Sequence, residues 1–386
     1  MSVLSVNFTI ESKIVIYFFG QGGKLEEKTK NERTIMQKFC LDRERNVTLT
    51  AMVQPLDPEV PYVRKRPAIL ILPGGGYQYC SEREAEPVAY PYLAAGYSAF
   101  VLRYSVMEHS AWPNPLRDYE RAMEFILEHA EEWNILPDKI AVIGFSAGGH
   151  LAAMAAAAAK HKPAAAILCY PAAKKSFWDP YLLPGMPEIP DAPAAADQHT
   201  CPCFVFATRS DGMVPVGNSL DFVKALEKYG VSFEIHIYSY GPHGLVFGNS
   251  ALQSPSAAFT PRVRHWVSES IGWLRETLGD FSEEGFGAPT CPARVHADFD
   301  EYLSADCTVG FLHSLPAAEE AVAPVFRLAE KALAEDTSIF LVRKVPIMYD
   351  LFAPFTLRSF AQMLGIPAAE TERADALLGK IKNPKL

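Results

Sequence analysis

The sequence predicts an α/β protein: a mostly parallel central sheet with helices on both faces, followed by a small, mainly helical carboxyl-terminal extension. Three observations predict it. Short apolar runs at residues 69–72, 140–143, 165–170 and 203–208 alternate with stretches of helical length. The runs are apolar throughout, as strands covered on both faces must be. The alternation stops near Gly279, beyond which only helical patterns recur.

Residues 34–41 and 46–54 read as an opening antiparallel pair around a polar turn. Residues 67–72 form an apolar strand ending in Pro73-Gly74-Gly75-Gly76. A helix over 84–95 is stopped by Gly96, and a strand follows over 97–104. Leu116, Tyr119, Met123, Ile126 and Leu127 recur at helical spacing, which makes 116–133 an amphipathic helix. The strand at 140–143 runs into Gly144-x-Ser146-x-Gly148 and an alanine-rich helix over 150–159. Strands at 165–170, 203–208 and 232–240 then alternate with helices at 216–229 and 261–278. The Pro/Ala-rich connection from 171 to 200 lies above the strand ends and reads as a lid or pocket wall.

Four segments are expected: an amino-terminal extension (1–33), a catalytic domain (34–279), a linker (280–292) and a helical domain (293–386). The tail has no catalytic spacing, so packing or homo-oligomerisation is its default role. The apolar run at 14–19 reads as a strand, or as sequence upstream of a start at Met36. It lacks a basic leader and is too short to span a bilayer.

Thirty-six basic against 45 acidic side chains leave a net charge of −9, which argues against nucleic-acid or anionic-membrane partners. Seven cysteines without a framework spacing suggest reduced thiols and a cytoplasmic setting. His199-x-Cys201-x-Cys203 has a metal-like look, but Cys203 opens a buried strand, and no metal is expected.

The chemistry starts at Ser146. An apolar strand entering Gly-x-Ser-x-Gly is the nucleophile elbow, a tight turn that exposes the serine hydroxyl at the carboxyl end of a sheet. The hydroxyl needs a base and the base an orienting carboxylate, in the chain order serine, acid, histidine. Asp211 follows the strand at 203–208, and His243 follows the next one. Asp221 falls inside a helix, Asp179, Asp191 and Asp197 in the long connection, and His236 in mid-strand; His150 suits a structural role. The triple glycine can turn the Gly75 and Gly76 amides toward an oxyanion, with the Ala147 amide completing the hole. A phosphate loop is the competing reading of these glycines. It fails because no Gly-Lys-Ser/Thr or Gly-x-Gly-x-x-Gly accompanies them.

Pro73-Gly-Gly-Gly-Tyr77, the run from Ser81 to Ala89, Val101-Leu-Arg-Tyr104, Gly144-Phe-Ser-Ala-Gly-Gly149, Asp211 with Val214-Pro215, and His243-Gly244 together resemble the α/β-hydrolase superfamily. Within it they resemble the acetyl-xylan-esterase and carbohydrate-esterase-like branch, over about residues 34–278. The chain departs from lipase relatives at Pro73, where they carry histidine, and its 171–200 connection is short. The resemblance implies a serine esterase acting on small acyl esters, acetyl on saccharides foremost, without metal or organic cofactor. Its partner would be a small-molecule or oligosaccharide ester. It also implies that Arg83 and Glu84 anchor the oxyanion loop or line the pocket rim, a surface ion pair being the plainer alternative. Tyr77, Trp112 and Trp178 are sugar platforms or simply buried aromatics. Two functional alternatives stay open: an amide hydrolase (peptidase or arylformamidase-like) with the same triad, and a non-catalytic binding protein on this scaffold.

Overall fold

A computed structural model of the chain describes residues 35–181, 188–249, 251–252, 261–335 and 349–386. The apolar run at 14–19 and the proposed amino-terminal extension lie outside the described residues. Eight strands share one sheet: β1 (Ile35–Asp42), β2 (Val47–Val53), β3 (Arg66–Leu72), β4 (Ser98–Arg103), β5 (Ile135–Phe145), β6 (Ala165–Cys169), β7 (Cys203–Thr208) and β8 (Phe233–Tyr238). Their spatial order is β1-β2-β4-β3-β5-β6-β7-β8. β2 runs antiparallel to both β1 and β4, and every later pairing is parallel.

Strand periodicity sorts the apolar side chains into two cores. Leu70, Leu72, Phe100, Val142, Leu168 and Val205 face α2 (Asn114–Glu128), α3 (Ala147–Ala158) and α6 (Gly217–Lys228). Ile69, Ile71, Val101, Ile143, Phe204 and Phe206 face α1 (Glu86–Ala94) and α7 (His265–Leu278). Each fully buried side chain of this size contributes about 1.5–3 kcal/mol. The sheet is therefore a rigid platform for the loops that leave its carboxyl edge.

Two boundaries differ from expectation in ways that matter for the site. The helix expected over 84–95 starts at Glu86, because Pro87 has no amide hydrogen to give and belongs in a first turn. A separate 3₁₀ turn, Glu82–Glu84, precedes it and aims Glu84 inward. Among its described residues the connection after β6 carries two short helices, α4 (Lys175–Trp178) and α5 (Ala192–Ala195); Asp191 caps the second by accepting from the Ala194 amide.

The stretch expected to be a linker is docked rather than free. It forms a small hairpin, β9 (Phe281–Ser282) with β10 (Gly285–Phe286), and the Thr290 and Cys291 amides donate to the Glu276 carbonyl. Next, Ser232 donates its amide to Ala293, and Val295 donates to Gly230. The described residues from 35 to 386 fall in one compact unit, with no break at 280. The tail comprises α8 (Val309–His313), α9 (Glu319–Glu335), α10 (Leu357–Met363) and α11 (Ala368–Leu378) around its own core of Leu312, Val325, Phe326, Phe360 and Leu378. Its anchor, Gly230 to Ser232, immediately precedes β8. The tail therefore docks at the amino end of the strands, away from the loops after β7 and β8. Among the described residues no helix is long and apolar enough to cross a membrane.

Candidate active site

β5 ends at Phe145 and α3 begins at Ala147, so the chain reverses within one residue. That residue is Ser146, at φ 53° and ψ −112°, a conformation that costs a non-glycine residue about 1–3 kcal/mol. Flanking bonds hold it there: its amide donates to Cys169, and its carbonyl accepts from His150 and Ala172. A Cβ on Gly144 would lie 2.1 Å from the Gly148 carbonyl oxygen, and one on Gly148 would lie 2.1 Å from that of Leu72. Both glycines are there for close approach.

The loops after β7 and β8 bring two further side chains to the serine. His243 Nε2 lies 2.8 Å from Ser146 Oγ, and His243 Nδ1 lies 2.7 Å from Asp211 Oδ2. The other Asp211 oxygen accepts from the Met213 and Val214 amides at 2.9 Å each, which fixes the carboxylate plane. Only 2% of the Asp211 side chain and 13% of that of His243 reach solvent. A carboxylate only accepts, so Nδ1 carries the hydrogen and Nε2 is free to accept from the serine hydroxyl. Gly241 ties the two loops together: its carbonyl accepts from Thr208 Oγ1, and its amide donates to Ser210 Oγ.

Beside the serine, β3 opens into the glycine loop. Gly75 and Gly76 sit at φ 130° and 64°, and a Cβ on Gly75 would lie 2.0 Å from the Tyr79 carbonyl oxygen. Among the described residues the amides of Gly75, Gly76 and Ala147 have no protein acceptor. Ala147 also heads α3, where the helix dipole favours negative charge. The Gly74 amide differs, since it donates to Glu84 Oε2 at 2.8 Å.

Of the residues expected at the substrate, Glu84 takes the loop-anchoring alternative and does not line the pocket rim, and Tyr77 is a buried aromatic and no sugar platform. Glu84 is only 3% exposed, and its second oxygen accepts from the Tyr170 hydroxyl at 2.8 Å, so neither oxygen is open to a ligand. Burial pushes its carboxyl above the ordinary range. Tyr77, 5% exposed, packs against Tyr104 and Trp178 and spends its hydroxyl on His150 Nδ1 at 2.7 Å, leaving no free face for a sugar. Trp178 is likewise buried, with its indole N–H on the Ala172 carbonyl. Arg83 is exposed and donates to the Leu252 carbonyl at 3.1 Å, so it bridges two loops and forms no surface ion pair among the described residues.

His150 has a larger structural part than its sequence position conveyed. Its Nε2 donates to the Pro190 carbonyl at 2.9 Å, so Nδ1 must accept from Tyr77. Burial pulls its pKa down to about 4, which keeps the ring neutral and this tautomer in place. One imidazole thus pins the glycine loop, the elbow helix and the 171–200 wall together. The sequence could not show this, because Pro190 contributes only a main-chain oxygen. Two of the rival acids are accounted for by structure: Asp221 pairs with Lys174, and Asp191 caps α5.

This sheet order, with a serine on a strained turn and its partners after later strands, defines an α/β-hydrolase scaffold. The chain belongs to the α/β-hydrolase superfamily. It is 42% identical to MGS-M1, an α/β-hydrolase enzyme from a Medee basin deep-sea metagenome library; the match covers 64% of this chain and 98% of that one, with a TM-score of 0.59. It is 30% identical to an acetyl ester-xyloside bifunctional hydrolase from Caldicellulosiruptor lactoaceticus, covering 63% and 96% with a TM-score of 0.53. An acetylxylan esterase of Xylanibacter ruminicola is 29% identical over 202 residues, 47% of this chain and 41% of that protein. A family model described as BD-FAE matches residues 57–173. The chain spans less than half the length of the curated relatives it matches.

Proposed function

We propose that this protein is a serine carboxylic ester hydrolase that removes small acyl groups, acetyl foremost, from saccharide esters. The observation that carries it is the hydrogen-bond chain from Asp211 through His243 to Ser146. In this mechanism His243 takes the Ser146 proton as Oγ attacks the ester carbonyl. The tetrahedral oxyanion is met by the Gly75, Gly76 and Ala147 amides, each such donor lowering the barrier by about 3 kcal/mol. Asp211 holds the imidazole and stabilises its cation. The imidazolium then protonates the departing alcohol, and the same nitrogen activates a water that releases the acid and restores the serine.

The acyl and alcohol classes are supported by the similarity to the acetylxylan esterase and to the acetyl ester-xyloside hydrolase. Ester hydrolysis of this kind calls for no metal or organic cofactor. All seven cysteines are free thiols, which supports a reducing, cytoplasmic setting.

A substrate panel tests the proposal. The protein should hydrolyse p-nitrophenyl acetate faster than the butyrate and octanoate, and release acetate from acetylated xylo-oligosaccharides. Faster cleavage of a p-nitroanilide or a formylated arylamine would overturn it in favour of an amide hydrolase. Inertness toward every member would overturn it in favour of a binding scaffold.

A further inference from the structure

Resting on the serine-esterase reading above, we propose that Glu84 is a positioning residue of that reaction, a buried carboxylate that clamps the glycine loop to the histidine loop and supports the imidazolium cation. Its acceptor bonds reach both halves of the site. Oε2 takes the Gly74 amide, immediately before the oxyanion-facing glycines. Oε1 takes the Tyr170 hydroxyl, and that same hydroxyl oxygen accepts the Val246 amide at 3.2 Å, three residues past His243. The Tyr170 ring meets the imidazole edge-on, 5.0 Å between centroids. Tyr170 and Val246 both hold positive φ, 38° and 50°, so the clamp joins two loops whose backbones are strained.

The flanking acids show that the position is selective. Glu82 and Glu86 both reach Arg103, whereas Glu84 has no cation within ion-pair distance among the described residues. A buried carboxylate without such a partner is costly, and two neutral donors offset only part of that cost. Around Glu84 the titratable groups are Arg83 on its own turn, Tyr104 after β4, Cys169 and Tyr170 at the end of β6, and His243 after β8. Burial raises the Glu84 carboxyl, while the Tyr170 and Gly74 bonds and the His243 and Arg83 charges act in the opposite direction. Coupling of this kind is reciprocal. The anion at 84 therefore favours the cation at 243, which forms only as the serine attacks, so its effect is greater in the transition state than in the resting enzyme.

The test is steady-state kinetics of Glu84→Gln and Tyr170→Phe on p-nitrophenyl acetate, with kcat and KM measured separately. The Glu84→Gln variant should lose about 10- to 100-fold in kcat with KM within about two-fold, the split expected of a group that acts on the transition state. Tyr170→Phe severs the link to Val246 and should lower kcat at least several-fold, which keeps the proposal testable if Glu84→Gln fails to fold. Full kcat in either folded variant, or a loss in Glu84→Gln carried by KM with kcat unchanged, would overturn it. Ser146→Ala separates the two levels: if it retains activity the serine mechanism fails, and if it is dead while Glu84→Gln is fully active only the Glu84 role fails.

Discussion

Replacing His243 with alanine lowers kcat/KM for p-nitrophenyl acetate by about 10⁵-fold, the scale on which members of a serine triad fail together. Nothing else described in the site can substitute. The other histidine near Ser146 is His150, whose two nitrogens are committed to Tyr77 and Pro190. Asp211 is screened from the serine by the imidazole and only accepts hydrogen bonds. The imidazole belongs to neither buried core, so thermal unfolding should stay within a few degrees of the parent, a change of about 1 kcal/mol or less. A loss of less than about tenfold, beside a residual rate of 10³- to 10⁴-fold over water expected from the oxyanion donors alone, would remove His243 from the chemistry.

The largest effect on stability is expected at Gly148. An added methyl would sit 2.1 Å from the Leu72 carbonyl oxygen and 2.5 Å from that of Pro73, both main-chain atoms of the strand end that launches the glycine loop. Neither can move aside without pulling β3 out of register with β5, where Leu72 pairs with Gly144. Gly148→Ala should therefore lose about 3 kcal/mol or more in urea denaturation, even though alanine is the better helix former. Gly217→Ala is the control. It meets nothing within 4 Å at the start of α6, and its stability should change by no more than about 0.5 kcal/mol. Equal stability of Gly148→Ala and the parent would mean that the strand–helix crossing is not as tight as described.

The parts of the site that could be read from the sequence are those written in local spacing and chain order. The elbow announces itself by glycines two residues either side of a serine after an apolar strand. Asp211 and His243 follow from counting strand ends along one edge of a parallel sheet. The fold was legible for a similar reason, since the alternation of residues 69–72, 140–143, 165–170 and 203–208 with helical stretches leaves few topologies. What was not legible depends on which way a side chain turns. In the run from Ser81 to Ala89, three glutamates look alike, and only the 3₁₀ turn before Pro87 sends the middle one inward. Tyr77 stayed open between sugar platform and buried aromatic, because a loop tyrosine beside a glycine run has no periodicity to reveal its burial. The hairpin at 281–286 was hidden by its polar and glycine content, which reads as a linker until its docking is seen.

The central claim is that the Ser146 oxygen is activated by the His243 ring. Reaction with a fluorophosphonate, followed by intact mass and peptide mapping, tests it most directly. A single adduct on the peptide containing Ser146 is predicted, with esterase activity lost in step and labelling abolished in the His243→Ala protein. Undiminished ester turnover by fully labelled protein, or an adduct on another residue with Ser146 unmodified, would contradict it.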